Sequence, residues 1–162
     1  MSVNIISSMG EHNELERDNR KIWNLKADKG FFNEITKGKI VVMDENTFTN
    51  MEDNMSGRSK IVISSDHDYS VFSDCICYND PLDLLEDMIN EEIYVIGGAD
   101  IYNDFLPFAD TLYLTMVFAP VEDAETYFPY FNKSDFRKES GVFGVEDNTQ
   151  FLRNKYVRKK VK

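Results

Sequence analysis

Asp28 closes the segment Trp23-Asn24-Leu25-Lys26-Ala27-Asp28, which puts one carboxylate near the start of an apolar-faced helix. A carboxylate there can hydrogen-bond the N–H and amino group of a heterocycle, because an amidine-like edge fits a two-bond fork. Farther along, Ile93-Tyr94-Val95-Ile96 runs into Gly97-Gly98 and then Ala99-Asp100-Ile101-Tyr102. Two glycines between a strand and a helix let a ligand approach the backbone closely, and a helix N-terminus favours an anion. The pattern is not G-x-G-x-x-G, so the Rossmann dinucleotide fingerprint is not supported. An acid near a helix start plus a glycine-opened anion site is a toolkit for a nucleotide-dependent enzyme. Each piece also has an ordinary structural explanation. An acid in a first helical turn complements the helix dipole by about 0.3–1 kcal/mol. A tight turn accounts for two glycines, and Thr115 is a good strand former. Glu125-Thr126-Tyr127-Phe128-Pro129, taken alone, is an aromatic anchor before a break.

These residues need a scaffold, and the apolar pattern alternates strand with helix. Residues 3–9 read as an apolar strand. Residues 10–22 are polar and charged, too long for a tight turn, and so a candidate functional loop. Residues 25–35 read as a helix with Phe31, Phe32 and Ile35 on or near one face, stopped by Gly38. Residues 39–43 form a short buried strand, and 44–51 a short helix with Asp44 as its N-cap. Gly57 marks a turn, and 60–65 is a strand ending in two serines. Residues 69–72 and 74–78 read as short strands, and 80–89 as a helix with Pro81 in its first turn. Residues 92–96 form an apolar strand of the kind found in a sheet covered on both faces. A helix over 98–109, a strand over 111–118 and an antiparallel pair over 136–139 and 150–159 complete the chain. The pattern predicts an α/β fold, with a mixed, mostly parallel sheet flanked by helices and a C-terminal antiparallel hairpin.

A chain of 162 residues is most simply one domain, here 1–162, long enough to bury a sizeable core. Its net charge of −11 argues against nucleic-acid or anionic-membrane partners, but not against a small anionic ligand. No stretch is long enough to span a bilayer, and no secretory signal is visible. Cys75 and Cys77 would point to one face of a strand, a poor geometry for a mutual disulfide. They read as packing residues in a reducing cytoplasm. The basic C-terminal residues, Arg153 to Lys162, read as a solvated last strand.

As an ordered set the motifs resemble the dihydrofolate reductase family over nearly the whole chain. The matching pieces are Ile6 in the first strand, Trp23-Asn24-Leu25-x-Ala27-Asp28, Phe31-Phe32, Thr47-Phe48, Gly57-Arg58 and Ile63-Ser64-Ser65. Val95-Ile96-Gly97-Gly98 with Ile101-Tyr102, Leu112-Tyr113-Leu114-Thr115, and Thr126-x-Phe128-Pro129 follow. The resemblance implies that dihydrofolate is the small-molecule substrate and NADPH the hydride donor. Asp28 would grip the pterin and promote protonation at N5, with Thr115 holding its carboxylate and Trp23 a nearby water. Ile6, Phe32, Met51 and Ile96 would line the substrate pocket, and Arg58 would pair with the glutamate α-carboxylate. Ser8, Asn19, Asn46, Thr47, Ser64, Ser65, Ile101, Tyr102 and Thr126 would contact the cofactor. Gly97-Gly98 would do so through the family's cis peptide. Residues 10–22 would be a mobile lid. The family is often monomeric, and no coiled coil or added domain changes that expectation.

The chain also departs from the family pattern. Asp44-Glu45 stands where the family has Gly-Arg near the cofactor's 2′-phosphate, and Asp100 where it has a second basic residue. Glu16, Ile22 and Lys26 replace a mid-lid glycine and two prolines. Like charges about 4 Å apart repel by roughly 1 kcal/mol in water and about 4 at an effective dielectric of 20. Two alternatives to NADPH-dependent reduction therefore stand. One is NADH preference, with Glu45 or Asp100 accepting from the ribose 2′-hydroxyl. The other is a binding or structural protein with a decayed cofactor site.

Overall fold

Val41 and Met43 lie on one face of a strand and Val42 on the other, and all three are fully buried. Side chains alternate along a strand, so such a run requires cover on both sides. The computed structural model, which describes residues 1–51, 55–71 and 74–161, provides it. Its strands are β1 (Ser2–Gly10), β2 (Glu14–Arg17), β3 (Arg20–Lys21), β4 (Ile40–Asp44), β5 (Ser59–Ile63) and β6 (Ile76–Tyr78). They continue with β7 (Glu92–Gly97), β8 (Thr111–Phe118), β9 (Thr126–Tyr127), β10 (Phe136–Glu146) and β11 (Thr149–Arg158). The helices are α1 (Lys26–Thr36), α2 (Glu45–Thr49), α3 (Pro81–Asp87) and α4 (Ala99–Phe105).

Eight strands form one sheet in the order β10-β11-β8-β1-β7-β4-β5-β6. From β8 to β6 the pairings are parallel; β11 runs antiparallel to both β8 and β10. This is the mixed, mostly parallel sheet with a C-terminal hairpin that the sequence predicts. One face buries Val42, Ile61, Ile93 and Val95 against Leu84 and Leu85 of α3 and Ile101 and Phe105 of α4. The other buries Val41, Met43, Val62 and Tyr94 against Ile35 of α1 and Phe48 of α2. Each large apolar side chain so buried contributes about 1.5–3 kcal/mol.

Several local expectations change. Residues 10–22 are not an irregular loop: β2 and β3 pair as a hairpin, and β2 also pairs with β9 to make a second, three-stranded sheet. Leu15 anchors it in the main core. Residues Tyr69–Val71 form a 3-10 turn instead of a strand, and Phe72 lies outside the described residues. The helix expected over 98–109 ends at Phe105 and tightens into a 3-10 turn at Leu106–Phe108, where Pro107 denies an amide to a regular α-turn. Strand β10 extends to Glu146, well beyond the expected 139. Asp44 does cap α2, accepting from Thr47 N at 2.7 Å. Both cysteines are free thiols packed against the smaller core cluster.

Three of the C-terminal basic residues, Arg153, Lys155 and Arg158, are engaged, while Lys159 and Lys160 are exposed as the solvated reading expected. Arg158 donates to the carbonyls of Ala109 and Leu106 and stacks over Phe136, and Lys155 pairs with Glu139 at 3.0 Å. Among the described residues no helix is long and apolar enough to cross a membrane.

Candidate active site

Strand register sets the chemistry around Asp28. Ser8 of β1 lies opposite Thr115 of β8, and Thr115 lies opposite Arg153 of β11. One row across three strands therefore points three donors at the same place. Thr115 Oγ1 donates to Asp28 Oδ1 at 2.7 Å, and Ser8 Oγ donates to Asp28 Oδ2. Arg153 Nη2 lies 3.7 Å from Asp28 Oδ1, with its guanidinium 4.0 Å from the centre of the Phe31 ring. Each carboxylate oxygen has two lone-pair sites. The two hydroxyls take one on each oxygen, and Arg153 lies beyond hydrogen-bond distance, so one on each is left for a two-bond fork.

The first turn of α1, which carries Asp28, is held from outside the helix. Leu25 offers no side-chain cap. Instead the Glu146 carboxylate, at the end of β10, accepts from Lys26 N at 2.7 Å and Ala27 N at 2.9 Å. Arg153 Nη2 donates to Ala27 O at 3.3 Å. The C-terminal hairpin thus clamps the helix start through an acid and a base. Sequence reading found neither residue's part in this, because no local pattern links them to a helix more than 100 positions away.

A cavity of about 610 Å³ opens beside Asp28, within the usual range for a small-molecule site. Phe32, Met51 and Ile96 line it, as do Trp23 and Tyr102. Trp23 Nε1 is buried with no acceptor among the described residues, a donor available to a bound molecule. Ile6 lies behind the wall, its carbonyl accepting from Tyr102 Oη at 2.9 Å. Arg58 stands outside the lining and is heavily committed. It donates to Thr36 Oγ1, to Ser56 O and to both oxygens of Asn33, and lies 5.9 Å from the Phe32 ring centre. Lys21 lines the same cavity. Desolvation among its neighbours pushes its ammonium's pKa down against the pull of the Asp28 charge, although much of the residue's surface stays open to solvent.

Past Asp28 the cavity reaches the glycine turn, where the Gly97-Gly98 peptide is cis. Asn19, Asn46 and Thr47 line this end, and Asn46 and Asn50 both donate to Asn19 O at 3.4 Å. Two carboxylates crowd the turn. A Cβ on Gly98 would fall 2.7 Å from Asp44 Oδ2 and 3.1 Å from Glu16 Oε1. Asp100 adds a third acid in the first turn of α4. Thr126 of β9 pairs in register with Glu16 of β2, while Ile101 faces the core.

Burial raises the Glu16 pKa, and Asp44, Glu125 and Asp100 raise it further. A carboxyl group whose folded pKa is raised binds its proton more tightly folded than unfolded. Its penalty is absent below the ordinary carboxylate range, grows with pH through the raised value and is complete above it. Glu16→Gln should therefore raise the melting temperature at neutral pH and leave it unchanged near pH ~3.5, below the unfolded Glu pKa. Thermal denaturation at the two pH values checks this.

Ser64 and Ser65 lie beyond the cavity, just past the end of β5, with Glu45 at the start of α2. Ser64 Oγ donates to Glu45 Oε2 at 3.0 Å, and Ser65 Oγ to Asp66 Oδ1 at 3.1 Å. Tyr69 Oη also donates to Glu45, and His67 Nδ1 lies 3.0 Å from Glu45 Oε1. These contacts, led by that of Tyr69, hold the Glu45 pKa below the usual carboxylate range.

For a nicotinamide dinucleotide the two ends of the site differ. The cavity, the orphaned Trp23 N–H and the glycine turn fit a nicotinamide riboside. Where the resemblance puts the adenosine end, the two serines already serve carboxylates, a poor fit for a 2′-phosphate.

Comparison with known proteins agrees with this geometry. A family model described as dihydrofolate reductase matches residues 2–159. A dihydrofolate reductase of Bacillus subtilis (strain 168) is 32% identical over 146 residues, covering 90% of this chain and 86% of the relative. One of Haemophilus influenzae is 30% identical over 150 residues, covering 91% of each. A type 3 dihydrofolate reductase of Salmonella typhimurium is 34% identical over 131 residues, covering 80% of this chain and 79% of the relative.

Proposed function

We propose, from the premise that this chain belongs to the dihydrofolate reductase family, that it reduces 7,8-dihydrofolate to 5,6,7,8-tetrahydrofolate. The observation that carries this reading is the half-satisfied Asp28 carboxylate at the wall of a cavity of suitable size.

In this reading Asp28 accepts two hydrogen bonds from the amidine-like edge of the pterin. Ser8 and Thr115 fix the plane of the carboxylate, so it meets that edge without reorganising. Asp28 then favours a proton at N5, because its charge stabilises the cationic ring that results. Phe32, Met51 and Ile96 enclose the ring and aminobenzoyl group and exclude water. Arg58, pinned at the end of α1 and outside the cavity lining, would reach the substrate's glutamate tail only by exchanging some of its present acceptors. A reduced nicotinamide supplies hydride to C6 of the pterin when bound. Trp23, Thr47, Gly97, Gly98 and Tyr102 would hold that end of the cofactor. NADPH is the family's usual donor, and the nicotinamide end serves NADPH and NADH alike. The protein acts as a monomer on a diffusing substrate.

The test is oxidation of NADPH and of NADH, followed by absorbance with and without dihydrofolate. Dihydrofolate-dependent oxidation with either donor is expected. Silence with both, from folded protein whose melting temperature dihydrofolate still raises, would replace catalysis with ligand binding alone.

A further inference from the structure

The strands β7, β4 and β5 are neighbours, and all three end on the same edge of the sheet. Their ends carry Gly97, Asp44 with Glu45, and Ile63 with Ser64. Adjacent strands lie about 4.8 Å apart, so the step from Gly97 to Ser64 is roughly 10 Å. A dinucleotide with its nicotinamide beside Gly97 therefore carries its adenosine ribose past Glu45. Ligands of parallel sheets commonly lie along such carboxyl edges.

Glu45 is a built group and not a loose surface acid. Its two oxygens are held by Ser64, Tyr69 and His67, all from the segment after β5. His67 is held in turn, its backbone N–H donating to Ser64 Oγ at 3.1 Å, and its ring lies against Tyr69. Asp66 takes the hydroxyl of Ser65, and Asp68 accepts from Ser70. A 2′-phosphate arriving here would meet a fixed carboxylate and find both serine donors occupied. A ribose 2′-hydroxyl is a donor, and a fixed carboxylate is the acceptor it needs; acids serve this purpose in other NAD sites.

We infer that Glu45 determines cofactor specificity, accepting from the adenosine ribose 2′-hydroxyl and rejecting a 2′-phosphate, so that NADH is the preferred hydride donor. The inference rests on the reductase reading of the cavity. It is supported by the depressed Glu45 pKa and by the Tyr69 hydroxyl, pushed up to about 12, which keep the acceptor charged and its donor protonated.

The test is equilibrium binding of NADH and of NADPH separately, read by quenching of Trp23, the sole tryptophan. NADH should bind about tenfold or more tighter than NADPH, the size expected of one like-charge contact. Glu45→Gln should shrink that ratio by about tenfold, mainly by tightening NADPH. Tyr69→Phe, which only loosens the carboxylate, should shrink it part of the way. Tighter NADPH binding by the unaltered protein, or a ratio that Glu45→Gln leaves unchanged, overturns the inference while the reductase reading stands. Absence of binding by either dinucleotide, from protein that dihydrofolate still stabilises, overturns both.

Discussion

Asp28→Asn should lower kcat/KM for dihydrofolate by about 10²–10⁴-fold, the usual cost of removing a group that governs proton transfer, while leaving the melting temperature nearly unchanged. The substitution keeps size and shape. The Asn carbonyl oxygen still accepts from one hydroxyl, and the other hydroxyl rotates to accept from the new amide. The Ser8–Thr115 pair therefore keeps its partners. What is lost is the charge and one of the two acceptors offered to the pterin edge. Steady-state turnover beside thermal denaturation checks the prediction. Turnover within about tenfold of the parent would mean that Asp28 is no more than a partner for the helix dipole.

Asp44→Asn should tighten binding of both nicotinamide dinucleotides by about tenfold or more, because it removes one like charge from beside the expected diphosphate. Asn is as good an N-cap as Asp, so the acceptor for Thr47 N is preserved and α2 stays in place. The effect differs in kind from that of Glu45. Asp44 reaches the glycine turn through Oδ2 and acts on whatever phosphate passes there, whereas Glu45 acts on the ribose. Asp44→Asn should therefore move both affinities together, and Glu45→Gln their ratio. Titration of each variant with both dinucleotides separates the two. An Asp44→Asn affinity within about twofold of the parent for both would mean that the diphosphate does not pass Gly98.

Much of the scaffold was readable locally. The unbroken apolar run from Ile93 to Ile96 required a strand covered on both faces, and β7 is central and buried. Asp44 is an N-cap as its position implied, accepting from an amide of its own helix. The hairpin over residues 10–22 was not readable. Its strands are short, Leu15 is its sole core anchor, and part of its pairing comes from Thr126 and Tyr127, over 100 residues later. Neither apolar periodicity nor turn chemistry encodes a partner that distant.

The same distinction runs through the site. The residues of chemical interest, Asp28, Thr115, Arg58, the glycine pair and the substituted acids, are facts of sequence, because side-chain identity and short spacings carry them. Their relations are not. Ser8, Thr115 and Arg153 share a row because β1, β8 and β11 are neighbours in one register, and a shift of one residue would turn any of them to the other face. Glu146 caps α1, and Ser64 and Tyr69 fix Glu45, only because the sheet order brings those ends together. Local pattern determined the layers and the chemistry on offer, and the ordered motifs carried the resemblance to the family. Strand register and sheet order, set by long-range burial, decided which oxygen faces which donor.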